Sequence, residues 1–232
     1  MELTEVQKER YCRSMMCDGF AQTEQSKLLA ASVLVVGAGG LGSAVLSYLA
    51  AAGVGRIGIV EFDCVSLSNL QRQILYTTTD IGRLKVEAAK ARLEMINPDI
   101  KIECFAEPLC SENVKNILSG YDLAVDCTDN YEVRAVLDSA CADASKAMVY
   151  GTAQNWGGQV ATFNWGRAGR YVDMFGQGEQ QEAVGVISPV VGVIGSMQAV
   201  EVVRILTSTG DTLDGKLLVF NCLENKFNVY TL

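Results

Sequence analysis

The chain has 232 residues, of which 49% are hydrophobic and 20% charged, a composition typical of a folded globular protein with a substantial core. Its net charge of −8 offers no general basic surface, so we expect no nucleic-acid partner. The N-terminus is polar and acidic rather than a secretory signal, and glycines interrupt the most apolar window, 28–52, which argues against a membrane helix and a membrane partner.

The chain has eight cysteines and no histidine. Cysteines without a secretory signal are typical of reduced thiols, so we expect a cytoplasmic protein. No two cysteines form a Cys-x-x-Cys pair, and with no histidine we expect no zinc site. The missing histidine also excludes the usual general base and the Ser/His/Asp and Cys/His triads.

Strands and helices alternate over the first 150 residues. Beyond N-terminal helices within 1–30, strands are predicted at 33–36, 56–61, 100–106, 123–126 and 148–150, and helices at 43–52, 85–96, 112–118 and 131–144. This alternation predicts a Rossmann-like α/β fold, in which helices cover both faces of a mostly parallel sheet.

The pattern changes after residue 150. A strand-like run at 158–164 precedes a Gly-rich polar segment at 165–181, a long apolar helix at 190–206 and a hairpin formed by 216–221 and 226–232. We expect the apolar helix to be core or dimer interface. The sequence therefore predicts one domain over 1–232, with N-terminal helices (1–30), a nucleotide-binding core (31–150), and a crossover segment with antiparallel C-terminal strands (151–232).

A glycine-rich turn joins the first core strand to the next helix. The run Gly37-Ala-Gly-Gly-Leu-Gly42 presents backbone N–H groups and a helix N-terminus, which suit a phosphate. Glu61 ends the second strand, where an acid can accept hydrogen bonds from ribose hydroxyls. Such a turn can also merely link strand to helix, but this context favours nucleotide binding.

Polar and cationic residues downstream of Glu61 favour ATP over NAD. Asn69, Arg72 and Lys85 follow the ribose end of the predicted site. A hydride-transfer enzyme does not need two cations there, whereas a triphosphate does, because charge builds on the phosphates as pyrophosphate leaves. Taken alone, the two cations could equally form a solvated surface pair.

Five motifs occur together in one order: GAGGLGS (37–43), VEFDCVSLSNLQRQIL (60–75), GRLKVEAAK (82–90), DCTDN (126–130) and GVIGSMQAVEV (192–202). Together they resemble the ThiF/MoeB/HesA family, bacterial relatives of ubiquitin-activating enzymes, from about Arg10 to the C-terminus. The resemblance implies an adenylyltransferase that uses ATP and Mg²⁺. Its partner would be a ubiquitin-like sulfur-carrier protein (ThiS-like or MoaD-like) of thiamine or molybdopterin biosynthesis, whose C-terminal Gly-Gly carboxylate it adenylates with release of pyrophosphate.

The resemblance also assigns site residues. Those expected to bind the nucleotide are Gly37, Gly39, Gly40, Gly42, Glu61, Asp63, Asn69, Arg72, Gln73 and Lys85. Asp129 matches an aspartate that holds Mg²⁺, and Arg13 matches an arginine supplied across a homodimer interface. Arg13, Arg72, Lys85 and Asp129 are therefore the expected catalytic residues. Seen alone, Asp129-Asn130 could be a helix N-cap and Arg13 an exposed helix residue.

The chemistry is compatible with a chain that lacks histidine. A carboxylate attacking the α-phosphorus of ATP brings two anions together, so the site must supply cations. A general base is not required, because the carboxylate nucleophile is already ionised at neutral pH.

The chain departs from the family pattern in its crossover. Many members carry two Cys-x-x-Cys pairs for a structural zinc, and here the first region reads GRYVDMFG (169–176), so we expect packing through Tyr171 and Phe175 instead. Gln181 stands where the family often has a cysteine that forms a covalent link. Cys127 is the best placed of the remaining cysteines, since Cys64, Cys141 and Cys222 follow elements expected to be packed.

Two other functions compete with adenylation. The chain could be a non-catalytic nucleotide-binding partner of another activating enzyme, although such a scaffold would not need the four expected catalytic residues. An NAD-dependent oxidoreductase would bind NAD and would not depend on a carrier protein.

Overall fold

The computed structural model describes residues 2–176 and 184–232. Its strands are β1 (Ser32–Val36), β2 (Arg56–Val60), β3 (Lys101–Phe105), β4 (Leu123–Asp126), β5 (Met148–Gln154), β6 (Gly157–Phe163), β7 (Lys216–Asn221) and β8 (Lys226–Thr231). They form one sheet in the order β3-β2-β1-β4-β5-β6-β7-β8. Strands β3 to β5 of this order pair in parallel, and β5 to β8 pair antiparallel.

Helices cover both faces of the sheet. They are α1 (Glu5–Tyr11), α2 (Gln22–Ala30), α3 (Gly40–Ala52), α4 (Lys85–Ile96), α5 (Val114–Ser119), α6 (Tyr131–Ala144), α7 (Tyr171–Phe175) and α8 (Ser188–Thr207). Because successive strand residues point to opposite faces, Val33 and Val35 pack in the core with α3, α4 and α8, while Leu34 and Val36 pack with α5, α6 and α7. The predicted Rossmann-like fold with an antiparallel extension is confirmed.

Most predicted elements are present, and several have the predicted bounds. Helices 85–96 and 131–144 and strand 123–126 begin and end where the sequence indicates. Helix α3 begins earlier than predicted, at Gly40 inside the glycine run, and β5 extends to Gln154 because it pairs along its length with β6. Helix α7 was not predicted. The division of the chain at residues 30 and 150 stays a prediction.

Helix α8 is the long apolar helix, and it packs on α3 and on the sheet beside β5 and β6. Val190, Ile194 and Val202 are buried in that core, so the core interpretation is confirmed for this stripe. By length and hydropathy alone, α8 could also span a membrane, but buried core helices meet the same two criteria. Gln198 of α8 is fully buried and donates to the Asp126 carbonyl oxygen at 2.8 Å, which fixes the helix against the end of β4.

Candidate functional site

Three loops meet at the carboxyl edge of the parallel strands. They follow β1, β2 and β4, which are neighbours in the sheet, and they begin at residues 37, 61 and 127. Strand β1 lies between the other two, so the chain turns to opposite sides of it, and ligands of open α/β sheets bind at such switch points. The predicted nucleotide and magnesium residues are carried by these loops and by the segment that follows β2.

The glycine loop is a turn whose backbone leaves no room for side chains at two positions. Gly37 has φ of +92°, and a Cβ there would lie 2.8 Å from the carbonyl oxygen of Cys127. A Cβ on Gly42 would lie 2.2 Å from the carbonyl oxygen of Gly37. The turn therefore requires glycine, and it directs the first N–H groups of α3, which have no acceptor within the helix, toward the strand ends.

Glu61 ties the glycine loop to the end of β2. One carboxylate oxygen accepts the backbone N–H of Ala38 at 3.1 Å. The other accepts the N–H groups of Phe62 at 2.9 Å and Asp63 at 3.0 Å. The ribose-binding acid predicted from the sequence thus lies beside the loop, and its carboxylate is already oriented by three backbone donors.

Lys85 is a buried cation next to these acids. It is the first residue of α4 and is 4% exposed. Its ammonium lies 3.0 Å from a carboxylate oxygen of Asp63 and 3.7 Å from one of Glu61. A buried charge is tolerated only when it is paired, so Lys85 is a paired cation beside the candidate site and is not a solvated surface residue.

The segment between Asp63 and Lys85 packs against the glycine loop. The hydroxyl of Tyr76 donates to the Ala38 carbonyl oxygen at 2.8 Å, and burial raises the pKa of Tyr76, so it stays a neutral donor. Gln73 is buried near Gly39, and its side-chain oxygen has no hydrogen-bond partner within residues 2–176 and 184–232.

Asn69 and Arg72 belong to the same segment and bond locally. The Asn69 side chain accepts the N–H of Ser66 at 3.2 Å. Arg72 is half-buried and donates to the carbonyl oxygen of Ser68 at 3.2 Å. The first bond closes the turn at Leu67–Asn69, and the second ties Arg72, which follows the turn, back to it.

The loop after β4 contains two adjacent polar residues with different surroundings, the helix N-cap Asn130 and the exposed Asp129. Asn130 is the N-cap of α6, and its side-chain oxygen accepts the N–H groups of Glu132 at 2.9 Å and Val133 at 3.1 Å. Asp129 is exposed, and its side chain makes no hydrogen bond or ion pair within the described part of the chain. The N-cap interpretation is therefore correct for Asn130 and leaves Asp129 available to a ligand.

Sequence reasoning missed a buried ion pair beneath this loop. Asp126 ends β4 with its side chain fully buried, and Arg134 of α6 donates its Nε–H to the Asp126 carboxylate. The available signal was a charged residue on the apolar face of a predicted helix, since Arg134 shares the spacing of Leu137 and Cys141.

Arg13 follows α1, away from these strand-end contacts. Helix α1 is fixed to the core by Tyr11, whose hydroxyl accepts a hydrogen bond from buried Asn97 at 2.8 Å. Arg13 itself is exposed, and its side chain has no hydrogen bond or ion pair to any described residue.

The cysteines do not supply an evident nucleophile. Cys127 lies beside the glycine loop but is buried, and burial raises the pKa of its thiol well above the usual value. Cys141 is buried as expected and Cys222 is half-buried. Cys64 follows the buried strand β2, as expected, but is itself exposed, in a loop that it bridges to Leu84. Gln181 lies outside the described residues.

The crossover helix α7 is held by packing, as expected. Tyr171 and Phe175 stack with each other and with Tyr150, at ring-centroid distances of 5.0 to 5.9 Å. A buried carboxylate, which the sequence did not reveal, adds to this anchor. Asp138 of α6 accepts the N–H of Tyr171 at 2.9 Å and the side-chain amide of Asn164 at 3.0 Å.

Comparison with known proteins agrees with this architecture. The model of the ThiF family matches residues 11–232. A sulfur carrier protein adenylyltransferase of Thermus thermophilus is 40% identical over 243 residues, which covers 100% of this chain and 90% of that protein. A probable molybdopterin-synthase adenylyltransferase of Gracilaria tenuistipitata var. liui is 34% identical, covering 99% of this chain and 66% of its own length.

A solved structure shows the same fold at lower identity. The crystal structure of PaaA superposes with a TM-score of 0.86 at 21% identity, covering 99% of this chain and 74% of that one. Because the family match extends over residues 11–232, and a relative at 40% identity covers the whole chain, this protein belongs to the ThiF family.

Proposed function

We propose that this protein is an adenylyltransferase that activates the C-terminal Gly-Gly carboxylate of a ubiquitin-like sulfur-carrier protein with ATP. The observation that carries the proposal is Lys85, a buried cation beside the glycine loop and paired with Glu61 and Asp63. The names of the two relatives, one acting on a sulfur carrier and one on molybdopterin synthase, support the same activity.

The proposed step is a displacement at the α-phosphorus of ATP. A carrier carboxylate oxygen forms the new bond to phosphorus, the bond to the bridging oxygen breaks, and its electron pair leaves with pyrophosphate. The N–H groups of the glycine loop bind phosphate oxygens, and Lys85 and Arg72 offset the negative charge that accumulates. The buried oxygen of Gln73, which lacks a partner among the described residues, is suited to a nucleotide N–H or hydroxyl donor.

Asp129 is the residue we assign to Mg²⁺. Its carboxylate is exposed and unpaired in the described ranges, and carboxylate oxygens are ligands that Mg²⁺ prefers. One protein carboxylate suffices when the phosphates and water complete the coordination, which fits a chain whose described part has no cluster of three or more His, Cys, Asp or Glu side chains for a metal. Bound there, Mg²⁺ would neutralise phosphate charge.

We also propose a homodimer in which Arg13 acts in the site of the partner subunit. Two observations support it: the exposed Arg13 side chain makes no hydrogen bond or ion pair with a described residue, and an apolar cavity of about 400 Å³ lies beside the N-terminal segment. Phe20, Tyr48 and Val200 line that cavity, and Tyr48 and Val200 are 58% and 49% exposed. A partner surface would remove these apolar groups from water.

Pyrophosphate exchange tests the activity. Purified protein, ATP, Mg²⁺ and a ThiS-like or MoaD-like carrier should exchange labelled pyrophosphate into ATP, while the same carrier without its last glycine should not. Activity of the isolated protein also rules out a purely non-catalytic partner. Absence of exchange across a panel of such carriers contradicts the proposal. The cytoplasmic location stays a prediction.

Mixed subunits test the role of Arg13. Arg13→Ala and Lys85→Ala should each have little activity alone. If Arg13 acts across the interface, subunit exchange creates heterodimers with one intact site, and random mixing should restore roughly a quarter of the wild-type rate. No recovery after demonstrated subunit exchange would show that Arg13 acts within its own subunit, and an active Arg13→Ala variant would show that it does not act at all.

A further inference from the structure

The Asp126–Arg134 pair lies directly beneath the loop that carries Asp129. Asp126 is 0% exposed and Arg134 is 4% exposed. Removing two such charges from water is costly unless their remaining hydrogen-bonding groups are also satisfied. In this protein several of those groups bond to one residue, Thr128.

Each polar group of Thr128 makes a hydrogen bond to the ion pair. Its N–H and hydroxyl donate to one oxygen of Asp126, at 3.0 and 2.7 Å. Its carbonyl oxygen accepts from Nη2 of Arg134 at 2.7 Å. That carbonyl belongs to the peptide bond between Thr128 and Asp129. The ion pair therefore fixes the peptide plane that leads into Asp129, and with it the backbone from which the Asp129 side chain extends.

Aromatic rings fix the position of the Arg134 guanidinium. Its central carbon lies 4.9 Å from the ring centroid of Tyr150 and 5.4 Å from those of Tyr131 and Tyr171. Tyr171 belongs to the crossover helix α7. A lysine could neutralise Asp126, but it lacks the planar fork of donors with which Arg134 bonds Asp126 and Thr128 together.

We propose that Arg134 is a positioning residue, which orients Asp129 toward the metal and triphosphate by clamping Thr128. The inference rests on the proposed function only for the assignment of Asp129 to Mg²⁺. Residues that orient a metal ligand change metal affinity or activity by roughly 10- to 100-fold when replaced. We expect Arg134→Lys to fall in this range.

The test measures metal binding separately from activity. Mn²⁺ binding in the presence of ATP, followed by electron paramagnetic resonance, should weaken by about 10-fold or more in Arg134→Lys. The matched control is Arg170→Lys, because Arg170 also pairs with a buried aspartate of α6, Asp138 at 3.4 Å, and is not bonded to the 126–130 loop in the described part of the chain. The control should bind Mn²⁺ like the wild type.

A double-mutant cycle shows whether Arg134 acts through Asp129. In an Asp129→Asn background, Arg134→Lys should have little further effect on Mn²⁺ binding, whereas independent effects would add. If Arg134→Lys fails to fold, Thr128 provides a second test. Thr128→Val should weaken Mn²⁺ binding, whereas Thr128→Ser, which keeps the hydroxyl, should bind Mn²⁺ like the wild type. Wild-type Mn²⁺ affinity in folded Arg134→Lys, or additive effects in the cycle, overturns the inference. Absence of pyrophosphate exchange in the wild type would contradict the proposed function instead, since the Mn²⁺ measurement needs no carrier.

Discussion

The ammonium of Lys85 lies 3.0 Å from the carboxylate of Asp63, and the backbone N–H of Lys85 donates to the Asp63 carbonyl oxygen at 2.9 Å. The two residues are thus joined through both side chain and main chain. The cation is therefore held at the strand ends by the fold itself. Such preorganisation spares the site the cost of moving a charge into place during the reaction.

Replacement of Lys85 should mainly reduce the rate of chemistry. We expect Lys85→Ala to lower the rate of pyrophosphate exchange by roughly 10²- to 10³-fold, by analogy with the loss of one donor that stabilises a transition state. Lys90→Ala is the matched control, because Lys90 is an exposed lysine of the same helix, paired with Glu94 at 3.8 Å. An equal loss in both variants would contradict a specific role for Lys85.

Gly42→Ala should destabilise the glycine loop. The added methyl group would lie 2.2 Å from the carbonyl oxygen of Gly37, a backbone atom that cannot rotate away. We expect a loss of about 1–3 kcal/mol in the free energy of unfolding, measured with urea, together with weaker ATP binding. Gly192→Ala in α8 should be neutral or stabilise by up to about 1 kcal/mol, since nothing lies within 4 Å of its added methyl group.

Asp138→Ala should loosen the crossover. It would leave the N–H of Tyr171 and the amide of Asn164 without their acceptor, and we expect a cost of about 2–4 kcal/mol in unfolding free energy. Proteases should then cut near α7 before the rest of the protein unfolds. Asp143→Ala, at an exposed position of the same helix paired with Lys115 at 2.8 Å, should change stability by less than about 1 kcal/mol. Equal effects would argue against an anchoring role.

Thiol labelling should distinguish the buried from the exposed cysteines. Burial raises the pKa of Cys127, and raises that of Cys141 to about 12, so both should stay unmodified by iodoacetamide at pH 8 while Cys64 reacts, as read by mass spectrometry. Because the native state keeps these thiols protonated, the stability linked to them is present below the ordinary thiol pKa and is lost as pH rises above it. Cys127→Ala should retain pyrophosphate exchange, and its inactivity would assign that thiol a role in adenylation.

Elements with strong local signals could be predicted from the sequence. Helix α4 ends at Ile96 because Asn97-Pro98 follows it, and the glycine run identifies the turn after β1 without any tertiary information. Helix α7 could not be predicted in the same way, because its five residues lie in a Gly-rich segment and are held by Asp138 and by rings distant in sequence.

The same distinction applies to the site. The motif pointed to Glu61 and Lys85, and they lie close together because α4 begins beside the end of β2, where the N–H of Lys85 donates to the Asp63 carbonyl oxygen. The Asp126–Arg134 pair was missed, because its meaning depends on how α6 packs over the end of β4. The sequence shows that Arg134 lies on the apolar face of a helix, but it does not show that Asp126 is the partner.

The anchor of α7 consists of a carboxylate, aromatic rings and a guanidinium, contributed by Asp138, Tyr150 and Arg134. None of these three groups is a thiolate. We expect a helix held in this way to keep its attachment in the presence of chelators and under oxidising conditions, both of which would release a segment fastened by a cysteine-bound metal. Loss of the proposed nucleotide-bound magnesium would then stop activity without loosening α7.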